Sequence, residues 1–196
     1  AHQAEKGGGK DGFIVKFSSA GVRLWSSYYG GSGEEIEQQC TVASNGDVYL
    51  SGSTNSPNAI AQDGHQNTIA QHHDAFLVKF TSTGTRLWGT YYGGESGDYG
   101  LSCAVGADQH VFLSGRTGSQ TGIAANGYQN QPGGWSDDAF LVHFNPEGVR
   151  MWGTYYGGSA TDEGRACIVG PDGHVFLAGI TASISGIAAN GHQNTF

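Results

Sequence analysis

Apolar and polar positions alternate in short runs along the chain, a pattern that predicts β-strands. In residues 76–80, Phe76, Val78 and Phe80 fall on alternate positions and therefore share one face of a strand. A tight turn containing Gly84 follows, and a second apolar run covers residues 86–92. No stretch keeps a 3.6-residue period, so we expect no helix of consequence.

This strand–turn–strand unit occurs three times, beginning at Asp11, Asp74 and Asp138, after intervals of 63 and 64 residues. A near-constant period of this length indicates a repeat architecture. Each repeat is expected to supply four strands, which in the second copy cover residues 76–80, 86–92, 101–105 and 110–115. We divide the single module, residues 1–196, into repeats at roughly 1–63, 64–126 and 127–190, with 191–196 beginning the next linker.

The predicted strands carry large apolar or aromatic side chains on both faces. Leu87, Trp88, Tyr91 and Tyr92 all lie in one strand. This favours small sheets covered by similar sheets on both sides, as in a β-propeller. In a two-sheet sandwich one face of each sheet would be polar. A β-solenoid is the remaining alternative, although its coils are usually much shorter than this repeat.

Three segments carry a family resemblance: DAFLVKF at 74–80, GTRLWGTYYGG at 84–94 and GHVFLAG at 173–179. They resemble the bacterial β-propeller repeat called SBBP. The linker GHQNTF at 191–196 resembles long repeat proteins of Bacteroidetes, which are often secreted or attached to the cell surface. The resemblance implies an all-β propeller of four-stranded antiparallel blades, an extracellular or cell-surface location and no general catalytic motif. By analogy with related propellers, the chain would form two whole blades with a half-blade at each end.

Charge and length limit the partners. The chain of 196 residues has a net charge of −8 and no Lys/Arg cluster, so we expect no nucleic-acid partner. It has no run of about 20 apolar residues, so we expect no membrane insertion.

The chain opens at Ala1 without Met, and we interpret it as a mature or excised piece. Three repeats are fewer than the four to eight blades typical of propellers. The protein is therefore expected to form a homo-oligomer of about six blades, or to belong to a longer propeller.

The three cysteines, Cys40, Cys103 and Cys167, occupy equivalent repeat positions. Equivalent positions are normally too far apart for a disulfide, which requires Cα atoms within about 7 Å. We predict free thiols buried on inner strands. A metal site shared around an axis is the alternative, but no sequence-local second ligand supports it.

Charged residues also recur between the predicted strands. The carboxylates Glu34, Glu35, Asp98, Asp162 and Glu163 follow the Gly-Gly pairs, and could hold a cation with oxygen ligands. Turn capping and solvation is the favoured interpretation. Structural roles in the strands and between sheets are expected for two further sets: Arg23, Arg86 and Arg150, and Trp25, Trp88 and Trp152. We find no asymmetric set of nucleophile and base, and therefore predict a non-enzyme without cofactor or metal.

The linkers between repeats are the predicted binding surface, because loops on a rigid scaffold concentrate binding residues. They share a ring followed by two amides: His65-Gln66-Asn67, Tyr128-Gln129-Asn130 and His192-Gln193-Asn194. Such a set suits sugars or peptide backbones. The alternative is a loop plug, in which the ring packs on the sheet and the amides satisfy the loop backbone. Trp135 has no repeat equivalent and is a predicted contact residue, whereas the pair His72-His73 is weak support for a metal.

These observations predict a non-catalytic extracellular propeller that acts as a scaffold or interaction module for protein ligands. A multivalent lectin with one weak sugar site per blade is the alternative. An enzyme or metal protein that uses the central funnel is a third possibility.

Overall fold

The computed structural model describes residues 2–194, and within this range all regular secondary structure is β-strand. The first six strands are β1 (Gly12–Phe17), β2 (Arg23–Tyr29), β3 (Glu35–Val42), β4 (Val48–Thr54), β5 (Asp74–Phe80) and β6 (Arg86–Tyr92). The remaining six are β7 (Asp98–Val105), β8 (Val111–Thr117), β9 (Asp138–Phe144), β10 (Arg150–Tyr156), β11 (Asp162–Val169) and β12 (Val175–Thr181). The prediction of an all-β chain is confirmed.

The strands form four antiparallel sheets in chain order. Sheet I contains β1 and β2, and sheet II contains β3 to β6. Sheet III contains β7 to β10, and sheet IV contains β11 and β12. The expected grouping, with two complete sets of four strands between two pairs, is therefore present.

Several strand boundaries differ from the prediction, and the largest differences are in β7 and β8. β7 begins at Asp98 rather than at residue 101, and β8 ends at Thr117 rather than at residue 115. Asp98 pairs with Thr117, and Tyr99 pairs with Arg116. These polar residues resemble a solvated link in the sequence, but the ladder between β7 and β8 continues through them.

The middle strands are buried on both faces because each face meets a different neighbour. All seven residues of β5 are buried. Phe76 and Val78 cluster with Ile14 of sheet I, whereas Leu77 clusters with Phe140 of sheet III. Along the stack, β7 packs on β3 to β5, and β11 packs on β7 to β9. The prediction of sheets covered on both sides is confirmed for sheets II and III.

Tryptophan side chains connect successive sheets. Trp25 Nε1 donates a hydrogen bond of 3.1 Å to the Ser82 carbonyl in the β5–β6 turn. Trp88 Nε1 donates one of 2.9 Å to the Pro146 carbonyl in the β9–β10 turn. A Cβ on Gly148 would lie 2.8 Å from the Trp88 ring, and Gly148 has a φ of +82°. Glycine therefore meets two requirements in this turn, a left-handed backbone and close contact with a ring.

The cysteine prediction is correct for two residues and wrong for one. All three thiols are free, and Cys103 and Cys167 are buried, but Cys40 is exposed. Cys103 lies on β7, which sheet II covers, and burial raises the pKa of its thiol to about 12. Cys40 lies at the equivalent place on β3, but sheet I has only two strands and leaves it uncovered.

We predict that Gly148→Ala destabilises the protein more than Gly173→Ala does. Both glycines have a φ of +82°, but nothing lies within 4 Å of a Cβ at Gly173. Gly173→Ala should therefore cost only the backbone strain, about 1 kcal/mol, whereas Gly148→Ala also displaces Trp88 and should cost about 2–3 kcal/mol. Urea denaturation followed by tryptophan fluorescence measures both values. Equal losses in the free energy of unfolding would show that the contact between Gly148 and Trp88 contributes nothing to stability.

Candidate functional site

The linkers lie across the final strand of their own sheet. In the linker between β4 and β5, Gln66 N donates to Thr90 Oγ1 at 2.8 Å, and Tyr91 N donates to the Gln66 carbonyl at 2.9 Å. The linker between β8 and β9 repeats this contact, since Tyr155 N donates to the Gln129 carbonyl at 3.0 Å. Both linkers are therefore tied to strands by backbone hydrogen bonds.

The linker glutamines act as internal braces. Gln66 Nε2 donates to Asp74 Oδ2 at 2.8 Å, and its Oε1 accepts from Gly93 N at 3.2 Å. Gln129 Oε1 accepts from Gly157 N at 3.3 Å. The side-chain oxygens that could contact a ligand are thus already bound within the protein.

The linker asparagines close a tight loop. Asn67 Oδ1 accepts from Gly64 N at 3.2 Å, and its Nδ2 donates to the Gly64 carbonyl at 3.0 Å. The same pair of bonds links Asn130 to Gly127 and Asn194 to Gly191. These contacts are the ones that the loop-plug alternative requires.

The ring residues that precede Gln-Asn in the three linkers, His65, Tyr128 and His192, have different surroundings. His65 lies 6.4 Å from the Tyr92 ring and 6.2 Å from the Phe144 ring, at the junction of sheets II and III. Burial lowers the pKa of His65. Tyr128 lies 6.5 Å from Tyr156 and is 83% exposed. In the third copy, His192 is exposed, and Gln193 and Asn194 line a shallow cavity with Ser183.

Trp135 is the most exposed large apolar residue of the linkers, at 93%. Its exposure agrees with the predicted surface position, and its role as a contact residue stays a prediction. The two adjacent histidines have separate surroundings. His72 is exposed with a φ of +43°, whereas His73 stacks on Tyr99 with ring centroids 5.6 Å apart.

A different histidine pair was not recognised in the sequence. His110 Nδ1 lies 2.7 Å from His143 Nε2. These histidines occupy the repeat positions at which Asp47 and Lys79 form an ion pair in the preceding repeat. Burial, followed by the neighbouring His110, lowers the pKa of His143. Across residues 2–194, no group of three or more His, Cys, Asp or Glu side chains could hold a metal ion.

Pairs of carboxylates lie beneath the linkers. Only one member of each pair was a candidate site residue from the sequence. A Cβ on Gly93 would lie 2.6 Å from Asp74 Oδ1 and 2.7 Å from Asp98 Oδ2. Both aspartates are completely buried. The same junction recurs at Gly157, between Asp138 and Asp162, and at Gly30, between Asp11 and Glu35.

One oxygen of each buried aspartate holds a loop, and the other has no partner. Asp98 Oδ2 accepts from Gly94 N at 2.7 Å and from Ser119 Oγ at 2.9 Å, while Asp74 Oδ2 accepts from Ala70 N at 2.9 Å. Within the described part of the chain, the Oδ1 atoms of four aspartates lack a hydrogen bond: Asp74, Asp98, Asp138 and Asp162. The expected capping is present, but the expected solvation is wrong for Glu35, Asp98 and Asp162, because the preceding Gly-Gly segment and the serine after the paired strand enclose them.

Burial favours the protonated form of a carboxylic acid. It raises the pKa of Asp74 to about 7 and that of Asp98 to about 6, against hydrogen bonds that act in the opposite direction. It also raises the pKa of Asp138. Because the carboxyls of Asp74 and Asp98 meet at Gly93, a proton held by this pair relieves the repulsion between two negative charges.

Arg86 and Arg150 hold the linkers rather than the acidic segments. Arg86 Nη1 donates to the Ala59 carbonyl at 3.0 Å, and its Nη2 donates to Gln62 Oε1 at 2.5 Å. Arg150 donates to the Gly122 carbonyl at 3.4 Å. Their structural role agrees with the prediction, and the ligands are linker carbonyls.

Comparison with known proteins shows a distant similarity. No model of a known protein family matches the chain. The chain is similar to the protein named "Regulatory protein FlaEY" of Caulobacter vibrioides, with 25% identity over 182 residues. The match includes 87% of this chain but only 19% of FlaEY, so the chain spans about a fifth of that relative. None of the described residues form a helix long and apolar enough to cross a membrane.

We predict that Asp74→Asn reduces the pH dependence of stability. Because the folded pKa of Asp74, about 7, lies above its ordinary value of 3.8, its contribution is fully present below pH 3.8 and is lost as the pH rises through 7. The wild-type free energy of unfolding should therefore be lower at pH 8 than at pH 5. In Asp74→Asn this difference should shrink by about 1–2 kcal/mol.

Urea denaturation at the two pH values measures this effect. Asp63→Asn is the matched control, because Asp63 is an exposed carboxylate in the same linker. It should leave the difference unchanged. An equal pH dependence in wild type and Asp74→Asn would contradict the proposed burial of a protonated acid.

Proposed function

We propose that the chain is part of an SBBP-type β-propeller that acts as a non-catalytic interaction and structural scaffold outside the cell or on its surface. Support for the architecture comes from successive antiparallel sheets that stack through the same contacts, with β7 on sheet II and β11 on sheet III. The 63- and 64-residue period supports it independently, because propeller blades are repeats of one supersecondary unit.

The observation that carries the binding role is the contrast within the linker at residues 118–137. Its backbone is held at Gln129 and by the bond from Gly133 N to Asp138 Oδ2 at 2.6 Å. The same linker presents the Trp135 ring to solvent, at 93% exposure. A large aromatic side chain on an anchored loop is suited to contact with a partner protein, since aromatic residues dominate binding hot spots.

The repeated polar residues support a non-catalytic role. The glutamines of the two linkers between complete strand pairs perform the same internal function, since Gln66 and Gln129 accept from the Gly93 and Gly157 amides. Most catalytic sites need one asymmetric arrangement of groups. FlaEY is named a regulatory protein, and regulation through binding is compatible with a scaffold.

A lectin is the second candidate, and the exposed rings favour it. Tyr128 and Trp135 lie seven residues apart in one linker, at 83% and 93% exposure. Aromatic faces with adjacent amides suit sugar rings, and one weak site per repeat would gain affinity through avidity.

We predict that Trp135→Ala leaves the thermal midpoint within about 1–2 °C of wild type, because substitutions at exposed positions rarely change stability by more than about 0.5 kcal/mol. On a glycan array, wild type and Trp135→Ala should both remain at background if the protein is a scaffold. A wild-type glycan signal that Trp135→Ala removes would instead establish the lectin. A large fall in the midpoint would show that Trp135 belongs to the core.

Location is tested on native cells. Protease added to intact cells should remove an epitope-tagged copy of the protein, whereas a cytoplasmic control protein should survive. Survival of the tagged protein until the cells are lysed would contradict a surface or extracellular location.

A further inference from the structure

Two arginines of the chain, Arg116 and Arg165, have no equivalent in the other repeats, whereas the other three recur at one strand position. Arg116 stands where the other copies have a serine and an isoleucine, and Arg165 stands where they have a glutamine and a leucine. Both line one cavity of about 520 Å³, together with Glu37 and Glu163. A volume of this size is within the range of small-ligand sites. The non-repeated guanidinium groups are therefore concentrated at one place.

The cavity lies between the first strands of three successive sheets, β3, β7 and β11. Each of these strands is paired on one side only, and β7 packs against both β3 and β11. Leu101 and Arg116 form its wall from sheet III, which packs between sheets II and IV. Both side chains are still partly exposed there. The opening therefore persists in a sheet that is covered on both faces, and no lining residue comes from β1 or β12.

An irregularity at the same place in each first strand directs side chains into the cavity. The pairing of β7 with β8 skips Leu101, and the pairing of β11 with β12 skips Arg165. The equivalent shift in β3 includes Glu37, whose φ of +61° is uncommon for a residue other than glycine. Bulges re-aim side chains, and strained backbone is frequent at functional sites. Backbone irregularity and non-repeated side chains thus coincide in this cavity.

Arg116 is held at one edge while its other donors stay free. Its Nη1 donates to Asp137 Oδ2 at 2.6 Å, and the guanidinium lies 4.0 Å from the centroid of the Tyr99 ring. Tyr99 is stacked on His73, with ring centroids 5.6 Å apart. Among residues 2–194 the guanidinium has no further acceptor, so Nε and Nη2 remain for a ligand. A planar guanidinium fixed in this way is preorganised for a carboxylate.

The other walls supply a second guanidinium and a fixed carboxylate. Arg165 Nε donates to Glu163 Oε2 at 2.9 Å, and the arginine side chain is 58% exposed. On β3, Glu37 Oε2 accepts from Ser53 Oγ at 3.0 Å, and that hydroxyl oxygen accepts from Gly100 N at 3.1 Å. Glu37 Oε1 has no donor within the described part of the chain. The cavity therefore offers positive and negative groups on different strands.

This mixture of charges selects the ligand. A ligand with only a carboxylate would meet Glu37, and a ligand with only an amine would meet the two arginines. A ligand with both groups satisfies both walls. The unpaired side of β7, beside the cavity, also offers backbone N–H and C=O groups, which match the amides of a peptide.

We propose that this cavity binds a short peptide with free termini. The peptide carboxylate accepts hydrogen bonds from Arg116 and Arg165, and its ammonium group donates to Glu37. The inference goes beyond the proposed scaffold role and depends neither on closure of a propeller nor on the linker rings.

The test titrates trialanine into the ¹⁵N-labelled protein and follows the amide signals by NMR. Four forms of the peptide are compared: both termini free, N-acetylated, C-amidated, and blocked at both ends. The free form should shift the signals of residues 37–39 and 163–165 with a dissociation constant of about 1 mM or lower. Blocking either end removes a charged hydrogen bond and should raise this constant by about tenfold or more.

Two variants assign the ends of the peptide. Arg165→Gln should weaken binding of the free and the N-acetylated forms by about tenfold and leave the C-amidated form unchanged. Glu37→Gln keeps an acceptor for Ser53 and should weaken only the forms that have an ammonium group. Arg23→Gln is the matched control, because it removes the same charge at an exposed position outside the cavity. It should bind all four forms as wild type does.

Absence of a saturable shift with free trialanine at about 20 mM would overturn the proposal. Equal binding of all four forms would also overturn it, because backbone pairing alone would then explain the affinity. Equal binding of the free and N-acetylated forms would replace it with a simple anion site. If a variant fails to fold, the four peptide forms still decide the question on wild type. Any of these failures leaves the scaffold role standing, since Tyr128 and Trp135 do not line the cavity.

Discussion

The structure depends on apolar strands that are buried on both faces by neighbouring sheets. Leu77 and Phe76 are adjacent in β5, yet they belong to different clusters, one shared with sheet III and one with sheet I. A sheet of this kind has no solvated face, so no repeat can bury its apolar surface alone. Each repeat therefore requires neighbours, and this requirement explains the Trp88 contact with the next turn, the burial of Cys103 and the exposure of Cys40.

The same packing confines acidic groups to the sheet junctions. Asp98 begins the strand that packs on the preceding sheet, and Asp74 begins a strand beside the linker; both are buried next to Gly93. Their Oδ2 atoms organise the loops through backbone amides and Ser119, while their Oδ1 atoms have no partner. Anchoring of long loops by buried carboxylates leaves the loop surface available for binding. It also links the stability of the loops to the protonation of these acids.

The two-stranded sheets show which groups the complete sheets bury. Phe13 of β1 is exposed, whereas its equivalents Phe76 and Phe140 are buried. The stacked sheets present the anchored linkers of successive repeats. Repetition of weakly binding loops increases avidity without any new contact.

The repeat period, the alternation of apolar residues and the turn glycines determined the strands and their grouping, because these signals are local in the chain. They also indicated that Trp25 and Trp88 pack between sheets and that Trp135, which has no repeat equivalent, lies at the surface. Burial of the polar groups could not be predicted in this way. Asp74 and Asp98 are 24 positions apart, and only the tertiary structure brings both to Gly93 and removes water from them. The exposure of Cys40 was also decided by the tertiary structure. Equivalent positions in a repeat are alike in sequence but differ in which neighbours cover them.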